Sequence, residues 1–245
     1  DAFSQFAGYE ATLVDMARVT TDSLGSIDAT IKGLPRSMGD PTAMMGAYYQ
    51  VLSSGATDSA QALDLLTTSA KASKAAHVSQ SETVKGLTKL MAGYDGEIRS
   101  AAEASDLLFR IDNLGQTSFA ELVPVIGDVA EVTHLVGVSS KEMAAGMALV
   151  TQTSGSTSEA ATKWKAIMVG LYKPTENMEK VLKALGYESG MAMVKQLGFA
   201  GAVQKLQAVA DASGFSLGKL FESSEALTGI AGLSAQEWER FAGIL

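Results

Sequence analysis

The chain has 245 residues, 47% of them hydrophobic, which is enough to bury one sizeable core or two modest ones. Its net charge of −8 argues against direct binding to nucleic acid or to an anionic membrane, because both need clustered Lys and Arg. The sequence has no cysteine, which excludes disulfides, cysteine zinc sites, iron–sulfur clusters and thiol nucleophiles.

The composition predicts an all-α protein, an array of short amphipathic helices with no sheet. Proline is rare, helix-forming residues are plentiful, and alternating β-branched runs are hard to find. The first helix is predicted from Phe3 to about Ile31, because its apolar residues recur roughly every 3.6 positions. The run KGLPRSMGDP then ends it, so residues 1–41 are expected to form an N-terminal helix and linker.

Helix starts and stops follow each other along the rest of the chain. Asp40 and Pro41 predict the N-cap and first residue of a helix that runs to Gly55. Residues 186–245 are predicted to hold three or four short helices punctuated by Gly198, Gly214, Gly232 and a Ser234 cap. The helices between these are predicted from Asp58 or Ser59 to Ala76, from a Ser79–Glu82 capping box to about Gly93, from about Ala101 to Gly115, from Ser118 to Val136 with a break at Pro124 and Gly127, from a Ser139–Glu142 capping box to Gly155, from Thr157 or Ser158 to Pro174, and over TENMEKVLKALG.

Two similar phrases, VSQSETVKGL at 78–87 and VSSKEMAAGM at 138–147, point to an internal repeat. A shift of sixty residues aligns Thr42–Met91 with Ala102–Thr151 without a gap, and the identities fall mainly on caps and helix ends. We therefore predict a duplicated helical core over residues 42–185, with repeats 42–91 and 102–151. Chance matching of caps in an Ala-rich helical chain is the alternative explanation.

No pattern in the sequence predicts catalysis, a metal site or a cofactor. His77 and His134 lack the spacing of paired metal ligands, and the Ser216 string GFSLG has no preceding strand to make a nucleophile elbow. The carboxylate pairs Glu222/Glu225 and Glu237/Glu239 are interpreted as solvated helix faces. We therefore predict that the chain is not an enzyme.

Aromatic and small residues are the candidates for contacts between helices or with partners. Small residues at Gly46, Gly86, Gly93, Gly146 and Gly170 permit helices to approach closely. Four aromatic residues are candidate anchors for a partner protein, with burial in the core as the alternative for each: Tyr48, Tyr49, Trp164 and Trp238.

Four distinctive strings follow one another along the chain: SGATDSA at 54–60, LGQTSFAEL at 114–122, GVSSKE at 137–142 and TSGSTSEAA at 153–161. Together they resemble the core region of phage tail tape measure proteins, the TP901-type minor tail family, and the resemblance covers roughly residues 1–185. None of these strings is a catalytic signature, so the resemblance depends on their order and spacing.

The resemblance implies a structural protein of the virion tail, made in the cytoplasm of the bacterial host. Such a protein occupies the lumen of the tail tube, sets tail length by its own length, and leaves the tail with or ahead of the DNA. The implied partners are the tail tube protein, tail-tip or baseplate proteins and tail assembly chaperones, with a homo-oligomer as a further candidate. Because the chain starts at Asp1 without an initiator Met, we expect it to be a fragment of a longer protein.

Some properties of the family do not carry over to this segment. The sequence has no window of about 18 uninterrupted apolar residues, no long heptad region and no peptidoglycan-cleaving domain. Membrane penetration is therefore not supported. The alternative function is a membrane-active helical effector or toxin, in which amphipathic helices rearrange onto a bilayer, although basic helix faces are absent.

Overall fold

Helices make up nearly all of the regular structure in the computed structural model, which describes residues 2–53, 59–214, 216–221, 223–231, 233, 240 and 244. Within these ranges there are 13 α-helices and no strand, which confirms the predicted all-α class. The helices are α1 Ala2–Met16, α2 Leu24–Gly33, α3 Pro41–Ser53, α4 Ser59–Ala76, α5 Gln80–Gly93, α6 Ala101–Leu114, α7 Phe119–Leu122, α8 Ile126–Val136, α9 Ser140–Gln152, α10 Thr157–Tyr172, α11 Glu176–Ala184, α12 Gly190–Ala212 and α13 Ser224–Ala231.

The N-terminal segment differs from the prediction of one helix from Phe3 to about Ile31. The chain leaves the helical path between α1 and α2, where the Asp22 amide donates to the Thr20 hydroxyl at 3.1 Å. Ser23 then caps α2, because its hydroxyl accepts from the Ser26 amide at 3.2 Å. These short polar side chains satisfy the backbone locally and so compete with a continuous helix.

Most of the predicted helix starts are confirmed by their caps. Asp40 accepts from the amides of Thr42 and Ala43, and Ser139 with Glu142 forms a complete capping box. The break at Pro124 is also confirmed, since α7 ends at Leu122 and α8 begins at Ile126, whereas Gly127 lies inside α8 and does not break it. The start of α10 was misplaced by one residue, because Ser156 is the N-cap rather than Thr157 or Ser158.

The helices of residues 41–93 recur sixty residues later. We call α3, α4 and α5 the first unit, and α6, the α7–α8 pair and α9 the second unit; α5 and α9 start at Gln80 and Ser140. The helix ends also match, because His77 and Gly137 both have positive φ, of 56° and 90°. That the two units arose by duplication stays a prediction.

We predict that His77→Gly stabilises the protein. His77 is exposed and holds a left-handed backbone that costs a non-glycine residue roughly 1–2 kcal/mol. Glycine loses more conformational entropy on folding than histidine, and this loss offsets roughly 0.5–1 kcal/mol of the stabilisation that comes from relieving the backbone strain. The expected net effect is an increase of about 1 kcal/mol in the free energy of unfolding, measured by urea denaturation. The matched control, Gly137→Ala, should lower the free energy of unfolding, and an unchanged or less stable His77→Gly variant would refute the interpretation.

Close approaches at glycines join the two units. A methyl group on Gly86 of α5 would lie 2.9 Å from Val123 Cγ1, and one on Gly93 would lie 2.8 Å from Ala130 Cβ. The backbone of α5 therefore packs directly on the α7–α8 segment, as the small residues in the sequence suggested. At the two ends of the array α1 packs on α3, and α10 packs on α8 and α9.

Candidate partner-contact surfaces

Trp164 lies at the junction between the second unit and α10. Its ring packs on Gly146 of α9, where a methyl group would overlap the Cη2 and Cζ3 atoms. Its indole Nε1 donates to Thr133 Oγ1 at 2.9 Å, and the Phe199 ring centroid is 4.9 Å away. Trp164 is 0% exposed, so in this fold it is a core residue and offers no surface to a partner.

The other three candidate anchors lie in different environments. Tyr48 is 2% exposed, and its burial raises the pKa of its hydroxyl, with the Asp22 charge as a smaller cause. Tyr48 is therefore also a core residue rather than an accessible anchor. Tyr49 is half-buried against the core, and its role as an anchor stays a prediction. Trp238 lies outside the described residues.

Glu142 joins α9 to the second half of α12, a role that the sequence did not reveal. Its Oε2 accepts from the Ser139 amide and hydroxyl, as the capping box predicts. Its Oε1 accepts from the Phe199 amide at 2.8 Å, just after Gly198, where the backbone of α12 turns through φ 72°. The capping-box spacing was the only sequence signal, and it indicates only the local contact.

Other carboxylates bind helix N-termini on neighbouring elements. Asp64 of α4 accepts from the Ala101 amide of α6 at 3.1 Å, and Glu97 accepts from the Ser140 amide of α9 at 2.6 Å. Free amides and the helix dipole both favour a negative charge at these positions. Part of the acidic excess of the chain is therefore used to hold helices together.

Lys163 is nearly buried, at 8% exposure, and is held at the C-terminus of α9. Its ammonium contacts Glu159 at 2.6 Å and Ser154 Oγ at 3.3 Å. The hydrogen bond from Lys163, together with one from the Gly155 amide, lowers the pKa of the Glu159 carboxyl. These contacts hold together the turn between α9 and α10. Because they depend on the charge of Glu159, we expect their contribution to the stability of the protein to decrease in acid.

We predict that the Glu159→Gln variant differs from the wild type most near neutral pH. Because the folded-state pKa of Glu159 is lowered, its stabilising effect is complete above its unfolded pKa and disappears as the pH falls through the folded value. Thermal melting of both proteins between pH 7 and pH 3 measures the difference. Two melting curves whose separation stays constant over this range would contradict the assignment.

The residues considered for chemistry are dispersed or outside the described part. His77 and His134 are both exposed, and the His134 ring packs edge-on against Tyr94 at 5.1 Å. Ser216 precedes a 3-10 turn, and Glu225 bonds the Ser223 and Ser224 hydroxyls. Among the described residues no group of His, Cys, Asp and Glu could hold a metal ion. Glu222, Glu237 and Glu239 lie outside them.

Two open clefts mark the described surface. The first, which we call the α6 cleft, has a volume of about 790 Å³ and is lined by the apolar side chains Ile98 and Leu107, by the cations Arg99, Arg110 and Lys141, and by the carboxylates Glu97, Glu103 and Asp106. The second, of about 480 Å³, lies between α5 and the α7–α8 turn beside Val123 and Pro124. Large exposed apolar side chains are spread over different helices, apart from the α10 pair Val169 and Tyr172.

None of the helices described for this chain is long and apolar enough to cross a membrane.

Neither the curated proteins nor the solved structures gave a match to the chain. The model of one protein family, described as phage-related minor tail protein, matches residues 32–234. This match covers both helical units and the helices that follow, and so includes most of the chain. The chain therefore belongs to the phage-related minor tail protein family.

Proposed function

We propose that this chain is a segment of a tape measure protein, a structural component of the virion tail. In this role it lies in the lumen of the tail tube, helps to set tail length, and takes part in tail assembly and genome delivery. Its partners are the tail tube protein, tail-tip or baseplate proteins and assembly chaperones. It acts by packing and by partner contacts rather than by a catalytic step.

The observation that carries this proposal is the family match over an array of helices with a sixty-residue period. A helical chain rises about 1.5 Å per residue, so a residue count converts directly into a length. Because the repeating unit consists of whole helices, a chain of this kind can gain or lose one unit while the remaining helices keep their N-terminal caps. We also propose the division into residues 1–41, 42–185 and 186–245 as N-terminal, duplicated and C-terminal segments.

The experiment is an in-frame deletion of residues 80–139 in the phage or prophage that encodes the chain. This deletion joins Ser79 to Ser140, so the Ser79 cap is followed by α9 with Glu142 at the third helical position. If the segment contributes to the ruler as an extended helix, tails should be shorter by roughly 90 Å in electron micrographs.

The control is the reverse change, an in-frame duplication of residues 80–139, which should lengthen the tails by the same amount. The duplication also keeps the test valid if the deleted protein fails to assemble. Tails of wild-type length in the duplication variant, with the longer chain present in the particles, would overturn the length-setting role.

A further inference from the structure

One residue turns the chain back on itself inside α12. Gly198, with φ 72° and ψ 169°, separates a first half, residues 190–197, from a second half, residues 199–212. This backbone conformation is essentially restricted to glycine. The ammonium of Lys205, in the second half, lies 5.8 Å from the ring centroid of Tyr187, which precedes the first half. The second half therefore runs back towards the start of the first.

The corresponding breaks in the first and second units are fixed by side chains of those units. Each break begins at a residue of positive φ, His77 or Gly137, and ends at a serine, Ser79 or Ser139, that caps the next helix. The break in α12 lies nearly one sixty-residue period later, but the residue after it is Phe199, whose side chain cannot accept a hydrogen bond. This third break therefore has no serine cap of its own.

The missing cap comes from Glu142 of α9. Its Oε1 accepts from the Phe199 amide at 2.8 Å, and a methyl group on Gly198 would lie 2.9 Å from the same oxygen. The Phe199 ring is fully buried, with its centroid 4.9 Å from that of Trp164 in α10. The bent form of α12 is thus held by contacts with α9 and α10.

The sequence of α12 itself favours one continuous helix. Its 23 residues include no proline and are rich in alanine and other helix formers. In a continuous helix the Phe199 amide would donate to the Lys195 carbonyl, four residues earlier, and would no longer need an acceptor on α9. Burial of Val203, Leu206 and Ala210 against the core opposes this change while α12 stays docked. The balance between the two forms therefore depends on docking.

We propose that Gly198 is a two-state joint, bent while α12 is docked on α9 and α10 and straight once α12 leaves them. Straightening converts two folded-back halves into one rod of roughly 35 Å, so the joint is a device for lengthening the chain. The proposal rests on the proposed function in one respect, that the straight form is used by the extended chain inside the tail.

The test is a distance between two spin labels in the whole chain, measured by electron paramagnetic resonance. The sequence has no cysteine, so Glu188→Cys and Ala208→Cys, both at exposed positions, give two unique labelling sites. The bent form places the labels close together, as the contact between Lys205 and Tyr187 requires. The straight form separates them by at least roughly 27 Å, because 18 helical residues lie between Gly190 and Ala208.

The labelled wild type should give the short distance, and Gly198→Ala should move most molecules to a narrow distribution at the long one. Alanine does not adopt the bent backbone conformation, and its methyl group would meet Glu142. Glu142→Ala keeps the glycine and should populate the long distance in a smaller share of molecules. The matched control is Gly46→Ala, whose methyl group meets no heavy atom within 4 Å and which should keep the short distance.

Three results would overturn the joint: a short distance in both α12 variants, a broad distribution that shows a disordered second half, or a loss of helix throughout both variants by circular dichroism. The distances are measured on the purified chain and do not depend on the tail. If deletion and duplication of residues 80–139 change tail length while the long distance never appears, only the joint fails. If the long distance appears while tail length stays unchanged, the proposed function fails and the joint stands.

Discussion

Gly146→Ala should destabilise the protein by about 3 kcal/mol, an unusually large effect for the addition of one methyl group. The methyl would occupy the space of the Trp164 ring. That ring cannot move aside easily, because Nε1 is bonded to Thr133 Oγ1 and the ring is fully buried against Phe199. Interiors packed at crystal density transmit such strain to the helices on both sides, here α9 and α10. The free energy of unfolding from urea denaturation measures the loss.

Gly46→Ala is the matched control for this prediction. Gly46 also lies within a helix, α3, but a methyl group there meets no heavy atom within 4 Å. Since alanine is a better helix former than glycine, this variant should gain roughly 0.5–1 kcal/mol. A second control, Gly146→Ala combined with Trp164→Leu, should be less damaging than the sum of the two single changes. Equal effects of the two glycine substitutions would show that Trp164 does not lock this junction.

The second large effect is expected for Glu142→Ala, which should lower the free energy of unfolding by roughly 2–3 kcal/mol. The substitution removes the Glu142 side-chain half of the α9 capping box, while the Ser139 hydroxyl can still accept from the amide of residue 142, and it also removes the carboxylate bonded to the Phe199 amide. Hydrogen bonds to charged groups contribute more than neutral ones, and this amide starts the second half of α12. Amide hydrogen exchange at Phe199 should therefore accelerate with the loss of stability.

The first unit provides the comparison for Glu142. Glu82 is also the third residue of its helix and bonds Ser79, but within the described part of the chain no bond from it to another helix is found. Glu82→Ala should therefore cost less than about 1 kcal/mol, as expected for a local cap. If Glu82→Ala and Glu142→Ala have the same effect, the contact from Glu142 to α12 contributes nothing to stability.

Local features of this fold could be predicted from the sequence because they depend on neighbouring residues. The Asp40 and Ser139 caps and the break at Pro124 are of this kind. Prediction from apolar spacing failed between α1 and α2. The apolar periodicity continues there, but the Thr20 hydroxyl binds the Asp22 amide and Ser23 caps a new helix. Apolar spacing alone does not show which backbone groups a side chain will satisfy.

The candidate surfaces depend on contacts between distant parts of the chain, which one sequence does not contain. Trp164 and Tyr48 were sensible anchors by residue type, but the sequence did not show that Trp164 would pack on Gly146 or that Tyr48 would be buried. The α6 cleft was not predicted for the same reason, since Arg99, Arg110 and Lys141 come from a loop and two helices. Tyr49 is the one predicted anchor in the described part that keeps some exposure.

The most direct test of the central claim is whether the chain lies inside the tail. Purified tails would be treated with a nonspecific protease before and after triggered ejection, and peptides of residues 1–245 counted by mass spectrometry, with an externally attached tail fibre as the digestion control. We predict that these peptides stay protected while the fibre is digested, and that protection is lost on ejection. Digestion together with the fibre in untriggered tails, or absence of the peptides from purified tails, would contradict the account.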